Sequence, residues 1–307
     1  MKSCPFVTVV ILTRNQKLST LRCLKSLHRA AYTNLTVIVI DNGSTDNSQE
    51  EINSIFPQVT VLASALNLGC SGGRNLGVQH AINRGAEYIL FLDNDTEVLP
   101  DFLSYLVKAA EEDSKVGIVS SKIINHKDRS LMWMAGGRID QKGRVTACYY
   151  GEQVRSVAQT PYAVDWVPGC VLLAKRSVVE SIGYFDDAYF IYFEDIDWCS
   201  KASRNGYRII VDPRSVVFHE ASQAFGGGSS PAKRYFMTRN RLLFVSRFLK
   251  GWNRFSSILA IVLEELSSVV TDVSSNQFRL AEARFDGLCH FFMRRFGAVP
   301  NRWDVNL

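Results

Sequence analysis

Two carboxylates one residue apart, Asp93-Asn94-Asp95, follow the apolar run YILFL at 88–92. Acids so placed at the end of a buried strand suit a hard divalent cation. Mg²⁺ and Mn²⁺ prefer oxygen ligands and share them with a substrate's phosphates. A simple Asx turn is the plainer alternative. A second acidic group, Glu194-Asp195-Ile196-Asp197, follows the aromatic-rich run 189–193. Aromatic neighbours desolvate a carboxylate and raise its proton affinity, which suits a general base. Acids complementing a helix N-terminus are the alternative. His219 closes the β-rich run 215–218. A structural imidazole is the commoner case there, although Mn²⁺ accepts imidazole beside a carboxylate. A glycine-rich run, NLGCSGGRN at 67–75, offers a backbone that a ligand can approach, a following helix N-terminus, and Arg74 as a phosphate partner. A plain glycine-rich loop would look the same.

The elements that must position these groups alternate. Residues 7–13 (VTVVILT), 35–40 (LTVIVI), 59–63 and 88–92 read as strands, and apolar positions 18, 21, 24 and 27 form a helical stripe. Residues 75–83 look helical. Strand–helix–strand repetition implies a parallel sheet with right-handed crossovers. Ligands of such sheets bind beyond the carboxyl ends of the strands. Those ends are Thr13-Arg14-Asn15, the DNGSTD run at 41–46, and Asp93-Asn94-Asp95, so three polar clusters converge on one rim. After residues 116–123 the pattern loosens into hairpins, followed by a strand at 170–174, a helix opened by the acids at 194–197, and a strand ending near His219. From Lys233 on the pattern is helical, broken near Gly251 and in the 270s.

Composition excludes several classes. Of 307 residues, 47% are hydrophobic and 21% charged, which is globular rather than disordered or fibrous. A net charge of +5 is too small to imply nucleic acid. The basic excess lies after residue 230, where 12 Lys/Arg meet 6 Asp/Glu. That is either a solvated helical surface or one facing anionic lipid or an anionic acceptor. Seven dispersed cysteines without a CxxC pair fit reduced thiols in the cytosol. The N-terminus enters a strand at once, without a signal-peptide layout. The late apolar run 258–263 is far below the ~20 residues of a spanning helix, so the chain reads as soluble or peripheral. The first strand–helix turn holds no glycine and no GxxxxGK[ST] occurs, which disfavours NAD oxidoreductases and P-loop ATPases.

In this order the motifs resemble the inverting GT-A glycosyltransferases of family two, most closely the rhamnosyltransferase-like branch. The carrying residues are VTVVILTRN (7–15), DNGSTD (41–46), NLGCSGGRNLG (67–77), FLDNDTEV (91–98), WVPGC (166–170), FIYFEDIDWC (190–199), GYRI (206–209) and VVFHE (216–220), within residues 6–245. The resemblance implies an α/β GT-A fold: a mostly parallel central sheet with flanking helices and a C-terminal helical region. The catalytic domain would span 1–243, with a nucleotide-binding half to about 125 and an acceptor-binding half to 243, and a helical extension would follow over 244–307. Asp41 would accept a hydrogen bond from a pyrimidine, which favours a UDP- or dTDP-sugar. Thr13, Arg14 and Asn15 would line that pocket, with Arg74 and Asn94 near base or pyrophosphate. Asp95 and His219 would ligate Mn²⁺ or Mg²⁺, with Asp93 beside the metal and the donor sugar. Asp195 would be the catalytic base, Glu194 would orient acceptor or donor, and Trp166 and Gly169 would border the acceptor groove.

The chemistry is coherent with those roles. A nucleoside diphosphate leaves readily once a divalent ion neutralises it. The acceptor hydroxyl needs a base within about 3 Å. One base and one back-face attack invert the anomeric carbon, while a retaining route would need a nucleophilic carboxylate beside it. The acceptor would be a saccharide or a lipid-linked saccharide. Residues 226–228, all glycine, would either close over the donor or form a solvent loop. The stretch 281–296 mixes aromatics with arginines and would either pack on the domain or lie on a membrane surface. Two rivals stand beside this reading: a haloacid-dehalogenase-like phosphohydrolase with Asp93 as nucleophile, and a non-catalytic sugar-nucleotide-binding protein.

Overall fold

The computed structural model describes residues 4–220, 230–298 and 303. Four strands, β1 (Val7–Thr13), β2 (Leu35–Asp41), β3 (Thr60–Ala63) and β4 (Tyr88–Asp93), run parallel in the order β4-β1-β2-β3. β1 is buried along its whole length, which is why it reads as an unbroken β-branched run rather than an alternation. The crossovers are α1 (Lys17–Leu27), α2 (Ser48–Ile55) and α3 (Gly69–Asn83). Parallel register pairs Thr13 with Asp41 and Leu12 with Asp93, so the three polar strand ends are neighbours on one rim.

α3 begins six residues earlier than the sequence pattern suggests. The glycine-rich run is the first turns of a helix rather than a loop. A Cβ at Gly77 would lie 2.3 Å from Val10, and one at Gly73 would lie 2.8 Å from Leu12, so these glycines let the helix settle on β1. Gly69 has φ +70°, and a Cβ there would meet the Phe190 carbonyl at 2.4 Å. Packing, not anion binding, accounts for these residues.

The second half is built on β5 (Thr96–Val98), α4 (Phe102–Glu112), β6 (Val116–Asn125), β7 (Met132–Met134), the hairpin β8 (Gly137–Ile139) and β9 (Val145–Ala147), β10 (Tyr162–Val164), β11 (Val171–Lys175), α5 (Arg176–Ile182), α6 (Glu194–Arg204) and β12 (Arg208–His219). β11 runs antiparallel between β4 and β6, and β6 is parallel to β12. The result is a ten-stranded mixed sheet whose parallel run carries the rim, with β8 and β9 as a separate two-stranded sheet. None of the seven cysteines forms a disulfide.

Three helices follow: α7 (Pro231–Phe248), α8 (Gly251–Ser274) and α9 (Phe278–Phe292). The breaks fall near Gly251 and at 275–277, as the pattern predicts. Much of the stretch 281–296 packs inward. Ala281, Ala283, Gly287 and Leu288 are buried, and Arg284 reaches Glu265 at 2.6 Å and Asp272 at 2.8 Å. Among the described residues no helix is long and apolar enough to cross a membrane. The glycines at 226–228 lie outside the described residues.

Candidate active site

β4 ends in Asp93, and the chain turns immediately into β5. β5 pairs antiparallel with the end of β12, with His219 opposite Thr96. That register carries His219 to Asp95, with Nε2 3.0 Å from Oδ1. Both side chains are buried. The Trp133 ring stands edge-on to the imidazole at 4.4 Å. Burial opposes charge on both groups, and their mutual attraction outweighs it. The imidazole is therefore held above its ordinary pKa and the Asp95 carboxyl below its own. His219 Nδ1 is buried without a hydrogen-bond partner.

Asp93, Cys170 and His219 bring ligand atoms within 4.8 Å of one another. Burial pushes the Cys170 thiol well up, so it stays protonated and ill-suited to a hard cation. Asp93 and Asp95 with the His219 imidazole form a donor set that fits Mn²⁺ or Mg²⁺, and Nδ1 is a buried ring nitrogen with no partner of its own.

Arg74 projects from α3 into the same space. It is 4% exposed, with Nη1 2.7 Å from Glu194 Oε1 and Nη2 3.2 Å from Asp93 Oδ1. One guanidinium thus ties the acids at the end of β4 to those opening α6. Gly169 is needed beside it, since a Cβ there would sit 2.4 Å from Nη1. The Gly169 N–H donates to Asp195 Oδ2 at 2.9 Å, and the Ile196 N–H donates to Oδ1 at 2.8 Å. Asp195 is thereby fixed by two backbone donors. Burial, partly opposed by Arg74, raises its pKa. Burial and the Asp195 charge, again opposed by Arg74, raise Glu194 to about 8. Glu194 Oε2 and Trp166 Nε1 are buried and unpartnered.

All these groups face one cavity of about 690 Å³. Its lining includes Arg74, Asp93, Asn94, Asp95, Trp166, Gly169, Glu194, Asp195 and His219. Thr13, Arg14, Asn15 and Asp41 are not in that lining. They stand one and two strands over, on the same rim. Thr13 is fully buried, its hydroxyl 2.8 Å from that of Thr20, and the Asn94 amide donates to Thr20 at 3.1 Å. Asn15, at φ +53°, accepts from the Thr45 N–H at 2.7 Å, and Asp41 accepts from the Ser44 N–H at 2.7 Å. The DNGSTD run is therefore laced to the end of β1.

Other contributors carry no local motif. The segment leading to Asp195 has three non-glycine residues with left-handed backbone, Phe190, Tyr192 and Phe193. Such conformations cost of order 1–3 kcal/mol each and persist only when neighbours enforce them. α7 does so: the Asn240 amide donates to the carbonyls of Tyr189, Ile191 and Tyr192 at 2.7–2.9 Å, and Arg239 reaches those of Ala188 and Tyr189 at 3.3 and 3.0 Å. Lys233, Met237 and Arg241 of α7 line the cavity as well. The available signal was Thr238-Arg239-Asn240-Arg241 interrupting an otherwise apolar run at 235–245.

The family model for glycosyl transferase family 2 matches residues 8–170, just over half of the chain. The dTDP-rhamnosyl transferase RfbF of Shigella flexneri is 23% identical over 252 residues, 78% of this chain and 80% of its own. The N-acetylglucosaminyl-diphospho-decaprenol L-rhamnosyltransferase of Mycobacterium tuberculosis is 25% identical over 256 residues, 76% of this chain and 81% of its own. Among solved structures, the mannosyltransferase PcManGT of Pyrobaculum calidifontis, in complex with GDP-Man and Mn²⁺, superimposes with a TM-score of 0.61 at 17% identity, covering 96% of this chain and 89% of that one. GalNAc-T7 with UDP, GalNAc and Mn²⁺ gives 0.59 at 18% identity, covering 90% and 58%. At these identities the superpositions speak to the fold, which is GT-A. The phosphohydrolase alternative falls away, since the family model takes in residues 8–170, the strand ends and the Asp93–Asp95 turn included. The chain belongs to glycosyl transferase family 2 and is a glycosyltransferase, similar over most of its length to the two rhamnosyltransferases above.

Proposed function

We propose that the protein transfers a sugar from a UDP- or dTDP-linked donor to a hydroxyl acceptor, with inversion and with a divalent metal, in the assembly of a polysaccharide or glycolipid. The observation that carries this reading is the shared cavity. Asp195, anchored by two backbone N–H groups, opens on the same 690 Å³ space as Asp93, Asp95 and His219.

In this reading Asp95, His219 and Asp93 hold Mn²⁺ or Mg²⁺, which when bound supplies Lewis-acid neutralisation of the leaving diphosphate. The neighbours crystallised with Mn²⁺ support a divalent ion of either kind. Asp195 takes the proton of the acceptor hydroxyl as its oxygen attacks the anomeric carbon. The raised proton affinity of Asp195 suits that task, and Arg74 keeps the carboxylate cluster from neutralising wholesale. Glu194, bound by Arg74, orients donor and acceptor. No second unpaired carboxylate beside Asp195 offers a nucleophile among the described residues, since Glu194 is held by Arg74, and this favours inversion. Asp41 with Thr13, Arg14 and Asn15 would take the nucleobase on the β1–β2 side of the rim, beside Arg74 and Asn94. Trp166 and Gly169 would border the acceptor. The division into a nucleotide half to about 125 and an acceptor half to 243 follows from these roles, with α7 bridging residue 243 into the helical extension. A lipid-linked saccharide acceptor finds support in the decaprenol-linked substrate named for the mycobacterial relative.

The test is a thermal-shift panel of nucleotide-sugars with and without Mn²⁺, followed by assay of nucleotide release. A UDP- or dTDP-sugar should raise Tm in the presence of Mn²⁺, because ligands stabilise the state they bind. Asp95→Ala should remove the metal-dependent part of the shift. No stabilisation by any nucleotide-sugar, or metal dependence unchanged in Asp95→Ala, refutes the reading.

A further inference from the structure

α8 carries its apolar side chains on the side turned away from the domain. Its buried residues are Ser257, Ile261 and Glu265. Opposite them stand Trp252, Phe255, Leu259, Leu263, Leu266, Val270 and Val273, exposed by between 42% and 75%. At 100° per residue these seven fall in a stripe about 80° wide and about 32 Å long. α9 adds exposed Phe278, Phe285 and Phe292, seven residues apart. Contiguous exposed apolar surface of this extent marks an interaction site.

The charges say what covers it. The acids of α8 are taken up by cations of the neighbouring helices: Glu264 pairs with Arg241 at 3.0 Å, and Glu265 and Asp272 pair with Arg284. Among the described residues, Lys250, Arg254, Arg279, Arg294 and Arg295 are exposed and form no ion pair, against Glu282 as the exposed acid of α9. One shoulder of the stripe is Ser256, Ala260, Ser267, Thr271 and Ser274. It lacks the opposite charges that set partner and register when two helices pair. An apolar stripe with one uncharged shoulder, Trp252 near its N-terminal end and an excess of exposed cations on the two helices matches the headgroup boundary of an anionic bilayer.

We infer that the α8–α9 hairpin lies on an anionic lipid surface through this stripe. α7 connects that surface to the site, since Arg241 both lines the cavity and holds Glu264 of α8. The docked hairpin would keep the cavity near lipid-borne substrate. This deepens the lipid-linked acceptor reading and rests on it for its purpose, though not for its chemistry.

The experiment is co-sedimentation of the full chain with phosphatidylglycerol vesicles and with phosphatidylcholine vesicles. Nucleotide-sugar turnover is measured in parallel without vesicles. Wild type should pellet with the anionic vesicles only. Leu263→Glu combined with Val270→Glu should weaken that binding at least tenfold, while vesicle-free turnover and the melting curve stay as in wild type. Both positions are exposed, so the fold tolerates the change. Equal pelleting of variant and wild type overturns the proposal, and so does wild type remaining in the supernatant with both lipids. A wild-type dimer that these substitutions split into monomers also overturns it, assigning the stripe to a second copy. Failure of vesicle binding with turnover intact sinks the lipid surface alone. Binding intact with no turnover on any donor sinks the transferase reading alone.

Discussion

Arg74→Met should cost stability in a pH-dependent way. The guanidinium lies 2.7 Å from Glu194 and 3.2 Å from Asp93, with Asp195 next along the helix, and it is 4% exposed. Methionine keeps the volume and removes the charge. Breaking a buried ion pair by deleting one partner costs about 3–5 kcal/mol, because the remaining charges are left uncompensated. The acids answer by binding protons. Glu194 already has a folded pKa of about 8, above its unfolded value of 4.5, so the native state holds the extra proton and stability falls as pH rises between those values. Without Arg74 both Glu194 and Asp195 move further up, which widens that window. The loss in the variant should therefore be about 3–5 kcal/mol near pH 8. Near pH 5, where neutral carboxyls meet only imperfect hydrogen bonding, it should shrink to about 1–2 kcal/mol. In a protein of this size the alkaline figure corresponds to a Tm drop of roughly 6–15 °C. Thermal unfolding of wild type and variant from pH 5 to pH 8 measures it. A loss below about 1 kcal/mol, or one that does not change with pH, would mean the three acids do not depend on Arg74.

Gly169→Ala should lower kcat/KM by about 10²-fold while costing only about 1–3 kcal/mol of stability, because its Cβ would meet Arg74 at 2.4 Å and displace either the guanidinium or the N–H that anchors Asp195. Wild-type kinetics in that variant would show that the guanidinium can swing away freely. The acidic limb of the kcat/KM profile should lie above the ordinary carboxylate range, since the base must be ionised and its pKa is raised, and the limb belongs to the Asp195–Glu194 pair together. A limb at or below the unperturbed Asp value of 3.8 would remove Asp195 from the role. Asn240→Asp should depress turnover with little change in donor affinity, because a carboxylate would then face the carbonyls of Tyr189, Ile191 and Tyr192 that the amide now serves. Unaltered turnover in that variant would mean that the loop before Asp195 holds its shape by itself.

The rim was legible because a parallel sheet sends the carboxyl ends of its strands to one place. Three short polar runs after three apolar runs were enough to bring Asp41, Thr13 and Asp93 together in order. The meeting of Asp95 and His219, more than a hundred residues apart, followed from the resemblance. In the structure it is the β5–β12 register that enforces it, and a three-residue strand such as β5 leaves almost no periodic signal. The glycine-rich run misled for a physical reason: glycine serves close helix–strand packing as readily as close ligand approach, and only the neighbours, Val10 and Leu12, tell the two apart. The polar interruption holding Arg239 and Asn240 could be seen in the sequence, but their role at the loop could not, because the partners there are carbonyls, which have no residue identity. By composition the stretch 281–296 suited either packing on the domain or a membrane surface. Its arginine at 284 is turned inward, and the unbroken apolar stripe lies on α8 instead.

In this mechanism Asp195 is the group that takes the acceptor proton. Sugar transfer by Asp195→Asn, with donor affinity measured in the same preparation and the same Mn²⁺, decides it. Asparagine keeps the shape and one oxygen for the Gly169 N–H while its amide nitrogen cannot accept from the Ile196 N–H, so donor should bind close to wild type while turnover falls by about 10²–10⁴-fold. Turnover within about tenfold of wild type would refute that role and move the base elsewhere on the cavity wall.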